Sequence, residues 1–518
     1  MSTTRIIARN VIWNWGALAA NLLAGFIVAP FLVHHLGETG YGLWILIASL
    51  IEYFGLLDIG IRGAMGRQIA FYHAKHDRQG LNETLNTALA ILCAGGGVAL
   101  LGTLGVILVF FRIFEVPPDQ VANVRTALLL IGVTLVLWLP LSLFDAVLWA
   151  YQRFDLINAV GIVSAVVRVA TTFYFIGRGY GLVALSIINL LTLAFPQALK
   201  GVLAFWHDRQ LRLGTRYLSR NALRALFGIG FWNCLLTLAT ICNRQVGSVI
   251  IGARLAVDLV TPFSVAIRLI GYGREFLVAG TGVLTPLVIK YHAGEQLRQQ
   301  KQLYLEGSKY CLIQAIFFTA VFIVLGRQII VLWMGEALEP AYPLLLILTL
   351  GEALPMSQWV GFSVIIGKYH HKMLGWLGII ENVLAIALAW VLVRPYGMIG
   401  VCLAFAIPGM VCRGLFQMIY ACRLVGVSIQ AYLAQVLLPV LAAATLPVIG
   451  LIAAVHWHAP RNWPELLLYI ALYGIAHLLV MVPLVGSWWL RRRKLPAGII
   501  ASWRSLAHRL VVALQANR

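Results

Sequence analysis

Long apolar runs separated by short polar gaps make up nearly the whole of this chain. A helix needs about 20 mostly apolar residues to cross the hydrocarbon core of a bilayer. Fourteen runs of that kind can be drawn, at about 10–33, 41–63, 86–111, 124–151, 157–177, 180–206, 224–251, 258–290, 308–333, 341–367, 372–393, 397–422, 430–455 and 464–490. The turn Gly177-Arg178-Gly179-Tyr180-Gly181 divides the fifth run from the sixth, and Arg254 with Asp258 divides the seventh from the eighth. The pattern predicts an all-α polytopic membrane protein.

The gaps alternate in charge. Arg5 and Arg9 precede the first run, and the gap at 34–40 has no Lys or Arg. Arg67, Lys75 and Arg78 follow the second run, and the gap near 112–123 sets Arg112 against Glu115 and Asp119. Basic gaps recur at Arg153, at Arg209, Arg212, Arg216 and Arg220, at Arg298 and Lys301, at Lys368 and Lys372, and at Arg423. The chain then reaches Arg491-Arg492-Arg493-Lys494. Lys and Arg accumulate in short cytoplasmic loops, so an even number of spans puts both termini on the cytoplasmic face of the membrane. The first run follows basic residues as a signal peptide would, but it exceeds the 7–15 residues of such an apolar region and reads as a retained helix. Ile499, Trp503, Leu506, Leu510 and Leu514 recur at helical spacing, which predicts an interfacial amphipathic helix in the tail.

The chain also echoes itself. Trp13-Asn14 recurs as Trp232-Asn233, and Tyr72-His73-Ala74 as Tyr291-His292-Ala293, both at an offset of 219 residues. Leu50, Ile51, Tyr53 and Gly63 meet Leu269, Ile270, Tyr272 and Gly282 at the same offset. Six spans separate the copies, so both enter the membrane in the same direction. Parallel repeats of this kind are related by an axis along the membrane normal, with substrate sites near the midplane between them. The expected organisation is an N-lobe at 1–206, a linker at 207–223, a C-lobe at 224–424, a helix pair at 425–490 and a basic tail at 491–518.

Composition agrees. Of 518 residues, 61% are hydrophobic and 11% charged, whereas soluble domains are about a quarter charged. The net charge of +20 would suggest nucleic acid in a soluble protein; here the basic residues flank spans, where they orient the chain and attract anionic lipid headgroups. The seven cysteines lie in apolar runs without a CxxC pair, which supports neither disulfides nor zinc. Gly361 to Gly367-Lys368 resembles a phosphate-binding loop, but the spacing is five rather than four and Tyr369 replaces Ser or Thr. HExxH and GxSxG are absent, and no cofactor is expected. No soluble segment is long enough for an ATPase, so transport would be driven by an ion gradient, the membrane potential, the substrate gradient or a partner.

Charges inside spans remain to be explained. Each costs at least roughly 2.5–3.5 kcal/mol on insertion scales and normally faces a cavity or a partner. Arg62, Arg168, Arg244, Arg268 and Arg274 are candidate phosphate ligands, because the guanidinium fork suits bidentate recognition and keeps its charge. The alternative for each is an ion pair that locks helices, with Asp58 one turn from Arg62 and Glu275 beside Arg274. Glu52, Asp58, Asp145, Glu352 and Glu381 are candidates for binding a coupling proton or sodium, or for pairing with an arginine. Arg413 also lies in a span.

From Pro30 to Ala74 the sequence resembles the N-terminal region of polysaccharide-exporting, Wzx-like flippases of the multidrug/oligosaccharidyl-lipid/polysaccharide exporter superfamily. The residues that carry the resemblance are Gly40-Tyr41-Gly42-Leu43-Trp44 and Leu57-Asp58-Ile59-Gly60-Ile61. It implies a two-lobed protein of a bacterial inner membrane that alternates between inward-open and outward-open states and moves undecaprenyl-pyrophosphate-linked oligosaccharide for polysaccharide or lipopolysaccharide assembly. Its partners would be bilayer lipids, a polysaccharide polymerase and glycosyltransferases. Three alternatives stay open at this level: a cation-coupled multidrug exporter, a peptidoglycan-precursor flippase, and a membrane polysaccharide polymerase or ligase, which would usually carry a longer external loop.

Overall fold

The computed structural model describes residues 3–281 and 284–491, and these contain helices and no strand. The basic tail beyond Arg491 lies outside the described residues, as do Gly282 and the side chains of Asn14, Trp232, Asn233 and Ala293 from the internal echo. The helices of the first half are α1 (Thr3–Ala74), α2 (Arg78–Ile113), α3 (Val121–Leu141), α4 (Leu143–Ala150), α5 (Phe154–Ile176) and α6 (Leu182–His207). In the second half follow α7 (Arg220–Arg254), α8 (Val260–Thr281), α9 (Leu284–Ala293), α10 (Leu297–Val324), α11 (Gly326–Met334), α12 (Ala341–Ser357), α13 (Trp359–Gly367) and α14 (His371–Gly409). A π-helical turn at Met410–Phe416 leads into α15 (Gln417–Val425). Then come α16 (Ile429–Tyr432), a second π-helical turn at Leu433–Leu437, α17 (Leu438–Trp457) and α18 (Trp463–Arg491).

Among the described residues nine helical stretches are long and apolar enough to cross a membrane, or ten with α12 and α13, which bend by 42° between Ser357 and Trp359. Glycines divide two of them. Gly37 breaks α1 at φ 70°, and Gly397 breaks α14 at φ 55°, a left-handed region that glycine enters without a Cβ penalty. The gap expected at 34–40 is thus a kink within one helical stretch. α7 and α8, about 52 and 33 Å long at 1.5 Å per residue, also have the length to cross. The arrangement is compatible with fourteen crossings.

Contacts between the halves gather at the ends that carry the charge-poor gaps. Thr261 donates to the Glu38 carbonyl at 2.7 Å, and Trp333 Nε1 to the Phe26 carbonyl at 2.7 Å. Gly42 sits so close to α8's approach that a Cβ there would lie 2.2 Å from the Val257 carbonyl oxygen. Tyr41, Leu43 and Ile47 share one buried core with Ile251, Val260 and Phe263. A second core, at the basic end, belongs to the first half: Met65, Ile69, Leu85, Val147 and Leu148 pack there, and Leu226 is the buried member from beyond the linker. The halves are therefore sealed at one end.

The linker does not hang free. Asn82 accepts from the Arg212 amide at 2.9 Å and donates to the Gln210 carbonyl, and Asn86 bonds both the Arg212 carbonyl and the Gly214 amide at 2.8 Å. Thr87 accepts from the Ser219 amide at 3.1 Å. Asp208 anchors the start, paired with Arg78 and accepting from the Tyr151 hydroxyl at 2.7 Å. Partial burial alone would raise the Asp208 carboxyl, but Tyr151, the Gln210 amide and Arg78 outweigh it and hold the group below its ordinary value. That contribution is present at neutral pH and lost as acid titrates the carboxyl below the ordinary range.

Candidate functional site

Arg168 and Arg268 come from opposite halves of the chain and line one cavity of about 170 Å³. Helix geometry explains the meeting. Arg168 stands eight residues before the end of α5 at Ile176, and Arg268 eight residues after the start of α8 at Val260. Both therefore lie about 12 Å below the sealed end, at 1.5 Å per residue. Tyr41, Trp44, Thr172 and Asn189 stand in the wall, and the rest of it is apolar, with Val28, Leu32 and Ile188 among its members. Gly25 leaves room: a Cβ there would stand 3.2 Å from the Tyr272 hydroxyl and 3.9 Å from the Arg268 guanidinium.

What sets these two arginines apart is that neither has a carboxylate bonded to it. No ion pair engages either one among the described residues, and each guanidinium lies in the other's repulsive field. The Asn189 amide nitrogen is buried there without a hydrogen-bond partner, and the Tyr272 hydroxyl stands against the Arg268 guanidinium. Buried polar groups nearly always find partners, and burying an unpaired charge is costlier still. Two arginines without a bonded carboxylate and one unused amide donor at a single cavity could take up an anion.

The other three arginines of the candidate set are held by carboxylates. Arg62 pairs with Asp58 one turn away, and Ser142 donates to the same carboxylate at 2.7 Å. Arg244 on α7 reaches Glu52 on α1 at 2.7 Å, and both side chains are partly exposed. Arg274 bypasses its neighbour Glu275 and meets Glu352 on α12 at 2.9 Å. Adjacent helix residues do not face each other, which corrects the pairing expected from adjacency. Asp145 binds Lys200 at 2.7 Å and Gln197 at 2.9 Å. Lys200 escaped the sequence reading because it lies near the end of its run, where a lysine passes for a rim residue.

In the second half, Arg413 sits on the π-helical turn and bridges Glu352 at 2.7 Å and Glu381 at 2.8 Å, while Asn243 donates to Glu381 at 3.1 Å. All five candidate carboxylates are thus engaged. Removing one member of a buried charge network leaves the others uncompensated, at a cost of about 3–5 kcal/mol. Arg413→Ala is expected to lower the melting temperature of the detergent-solubilised protein sharply, and Glu352→Gln with Glu381→Gln to recover much of the loss. An unchanged melting point for Arg413→Ala would show that the network carries no stability. The loop-like Gly361–Lys368 segment is helix: Gly361 packs near Ala421 and Lys368 donates to the Leu424 carbonyl at 2.8 Å, so it cradles no phosphate.

The described residues form a helical membrane bundle in which two arginines from opposite halves of the sequence line one cavity. The fold matches the lipid II flippase MurJ in its inward closed conformation with TM-score 0.69 and 12% identity, over 93% of this chain and 99% of that one. It matches a multidrug resistance MATE family transporter in an inward-facing conformation with TM-score 0.67 and 16% identity, over 79% and 96%. At these identities the likeness speaks for the fold. Residues 7–292 match the family described as "Polysaccharide biosynthesis protein", and the chain belongs to that family. A Shigella flexneri protein named "Putative O-antigen transporter" is 20% identical over 431 residues, covering 80% of this chain and 97% of its own. These relatives are transporters and flippases, not enzymes.

Proposed function

We propose that the protein is a flippase that moves undecaprenyl-pyrophosphate-linked oligosaccharide units across the bacterial inner membrane for polysaccharide or lipopolysaccharide assembly. The observation that carries this reading is the pair of unpaired arginines, Arg168 and Arg268, facing one cavity from opposite lobes. A pyrophosphate supplies the missing counter-charge in the geometry guanidinium prefers. Family membership and the transporter and flippase relatives support the same class. With both termini cytoplasmic, the sealed end is the outer one and the substrate enters from the cytoplasmic side, where glycosyltransferases assemble it; a polymerase receives it beyond. On that path it passes Arg62 and Arg244, which can exchange a carboxylate for phosphate, before reaching Arg168, Arg268 and the level of Arg274. Glu52, Asp58, Asp145, Glu352 and Glu381 are the groups through which a proton or sodium gradient would act.

A cationic-drug exporter is disfavoured by the same cavity, since two uncompensated arginines repel a cation. Proteoliposomes discriminate the two. The protein is expected to flip a fluorescent polyprenyl-pyrophosphate glycan and to leave an ethidium gradient untouched; ethidium transport without glycan movement would overturn the proposal. Reporter fusions at Gly37 and Arg216 are expected on opposite faces of the membrane. Finding both on one face would sink the topology.

A further inference from the structure

The linker between the lobes offers a second site, outside the transport path. Its backbone is pinned to α2 by Asn82, Asn86 and Thr87, so its side chains are held in place as part of the N-lobe. Five arginines project from this short stretch and into the start of α7: Arg209, Arg212, Arg216, Arg220 and Arg224, all exposed. Its one acid, Asp208, is already paired with Arg78. Between the arginines stand exposed leucines: Leu213 at 50%, Leu218 at 52% and Leu223 at 38%. Trp206, 67% exposed, lies one residue before the end of α6.

That combination has a specific depth. The stretch follows the candidate span Leu182–His207 and runs into the start of α7 at Arg220; tryptophan concentrates at the rim of the hydrocarbon, and arginines just beyond it meet the phosphate layer. Leucines interleaved with cations suit the boundary between acyl chains and headgroups. We propose that residues 206–224 form a docking ledge for the phosphate headgroups of anionic membrane phospholipids, which fastens the N-lobe to the membrane surface. An ordinary topological loop needs positive charge but neither a rigid backbone nor outward leucines. Here the backbone is bonded to α2 and the leucines are about half exposed. The inference does not depend on what the transporter carries.

Bound-lipid analysis tests it. The full chain is reconstituted in vesicles of one part phosphatidylglycerol to four of phosphatidylcholine, re-extracted in mild detergent, and its retained lipid is measured by mass spectrometry. The wild type is expected to retain phosphatidylglycerol selectively and to release it when salt screens the contacts. Arg212→Gln with Arg216→Gln and Arg220→Gln is expected to retain at least about fivefold less, and the corresponding Lys variant most of it. Arg298→Gln with Lys301→Gln, at another basic gap, serves as control. Salt-insensitive retention by the wild type overturns the proposal whether or not the variants fold. So does unchanged retention in the Gln variant, or an equal loss in the control. Unchanged retention together with lost cross-links to an acidic membrane protein would assign the ledge to that partner instead.

Discussion

Replacing Arg168 and Arg268 together with Gln is expected to abolish glycan translocation while the protein still folds and inserts. Each guanidinium is expected to contribute a charge-assisted contact to the pyrophosphate, and hydrogen bonds to charged groups contribute about 1.5–3 kcal/mol each. At about 1.4 kcal/mol per factor of ten, a single substitution should slow transport roughly 10–100-fold. The double variant should fall to background. Neither arginine holds a carboxylate, so no buried charge is left unpaired by their removal. Relief of their mutual repulsion should leave the melting temperature equal or higher. This separates them from Arg413, whose loss should be felt first in stability. Lys at either position should restore part of the rate, because it keeps the charge and loses the fork. Normal export of glycan by the double variant, at normal protein level, would show that the cavity is not the substrate site.

The membrane class and the approximate spans were legible from local hydrophobic length, which is a property of consecutive residues. Pairing was not. Arg62 and Asp58 could be matched because both lie on one helix turn, whereas Arg413 meets Glu381 across 32 residues and Glu352 across 61. Which arginines remain unpaired is decided by packing between helices far apart in sequence. Five candidates of one chemical type therefore looked equivalent until Glu52, Asp58 and Glu352 were seen to hold three of them. The linker was legible only as charge; its fixation by Asn82 and Asn86 depends on side chains meeting a backbone more than a hundred residues away. Gly42 stood out in the Gly40–Trp44 stretch, but nothing in the sequence told that its missing side chain admits another lobe's carbonyl.

That missing side chain leads to the second large effect. A Cβ on Gly42 would overlap the Val257 carbonyl oxygen at 2.2 Å, and a backbone oxygen cannot turn aside as a side-chain end can. Gly42→Val is therefore expected to hold the seal open rather than unfold either half, because rigid-body separation relieves the overlap at once. Overpacking costs typically about 1–3 kcal/mol. Since a ligand-free two-state transporter has states only a few kcal/mol apart, that cost is enough to shift the ratio of sealed to open by about 5–150-fold. Paired cysteines report it. Glu38 and Asp258 flank the seal: Thr261 donates its hydroxyl to the Glu38 carbonyl at 2.7 Å and its amide to the Asp258 carbonyl at 3.0 Å. In a background without reactive cysteines, Glu38→Cys and Asp258→Cys are expected to cross-link readily in the otherwise native chain and poorly with Gly42→Val. Transport should fail as well, for a reason different from that of the arginine variants: the phosphate site stays intact, so the substrate should still protect Thr172→Cys, on the cavity wall, from a charged thiol reagent in Gly42→Val. Efficient cross-linking in Gly42→Val would mean that the lobes meet elsewhere, and the seal at Val257 would lose its place in the cycle.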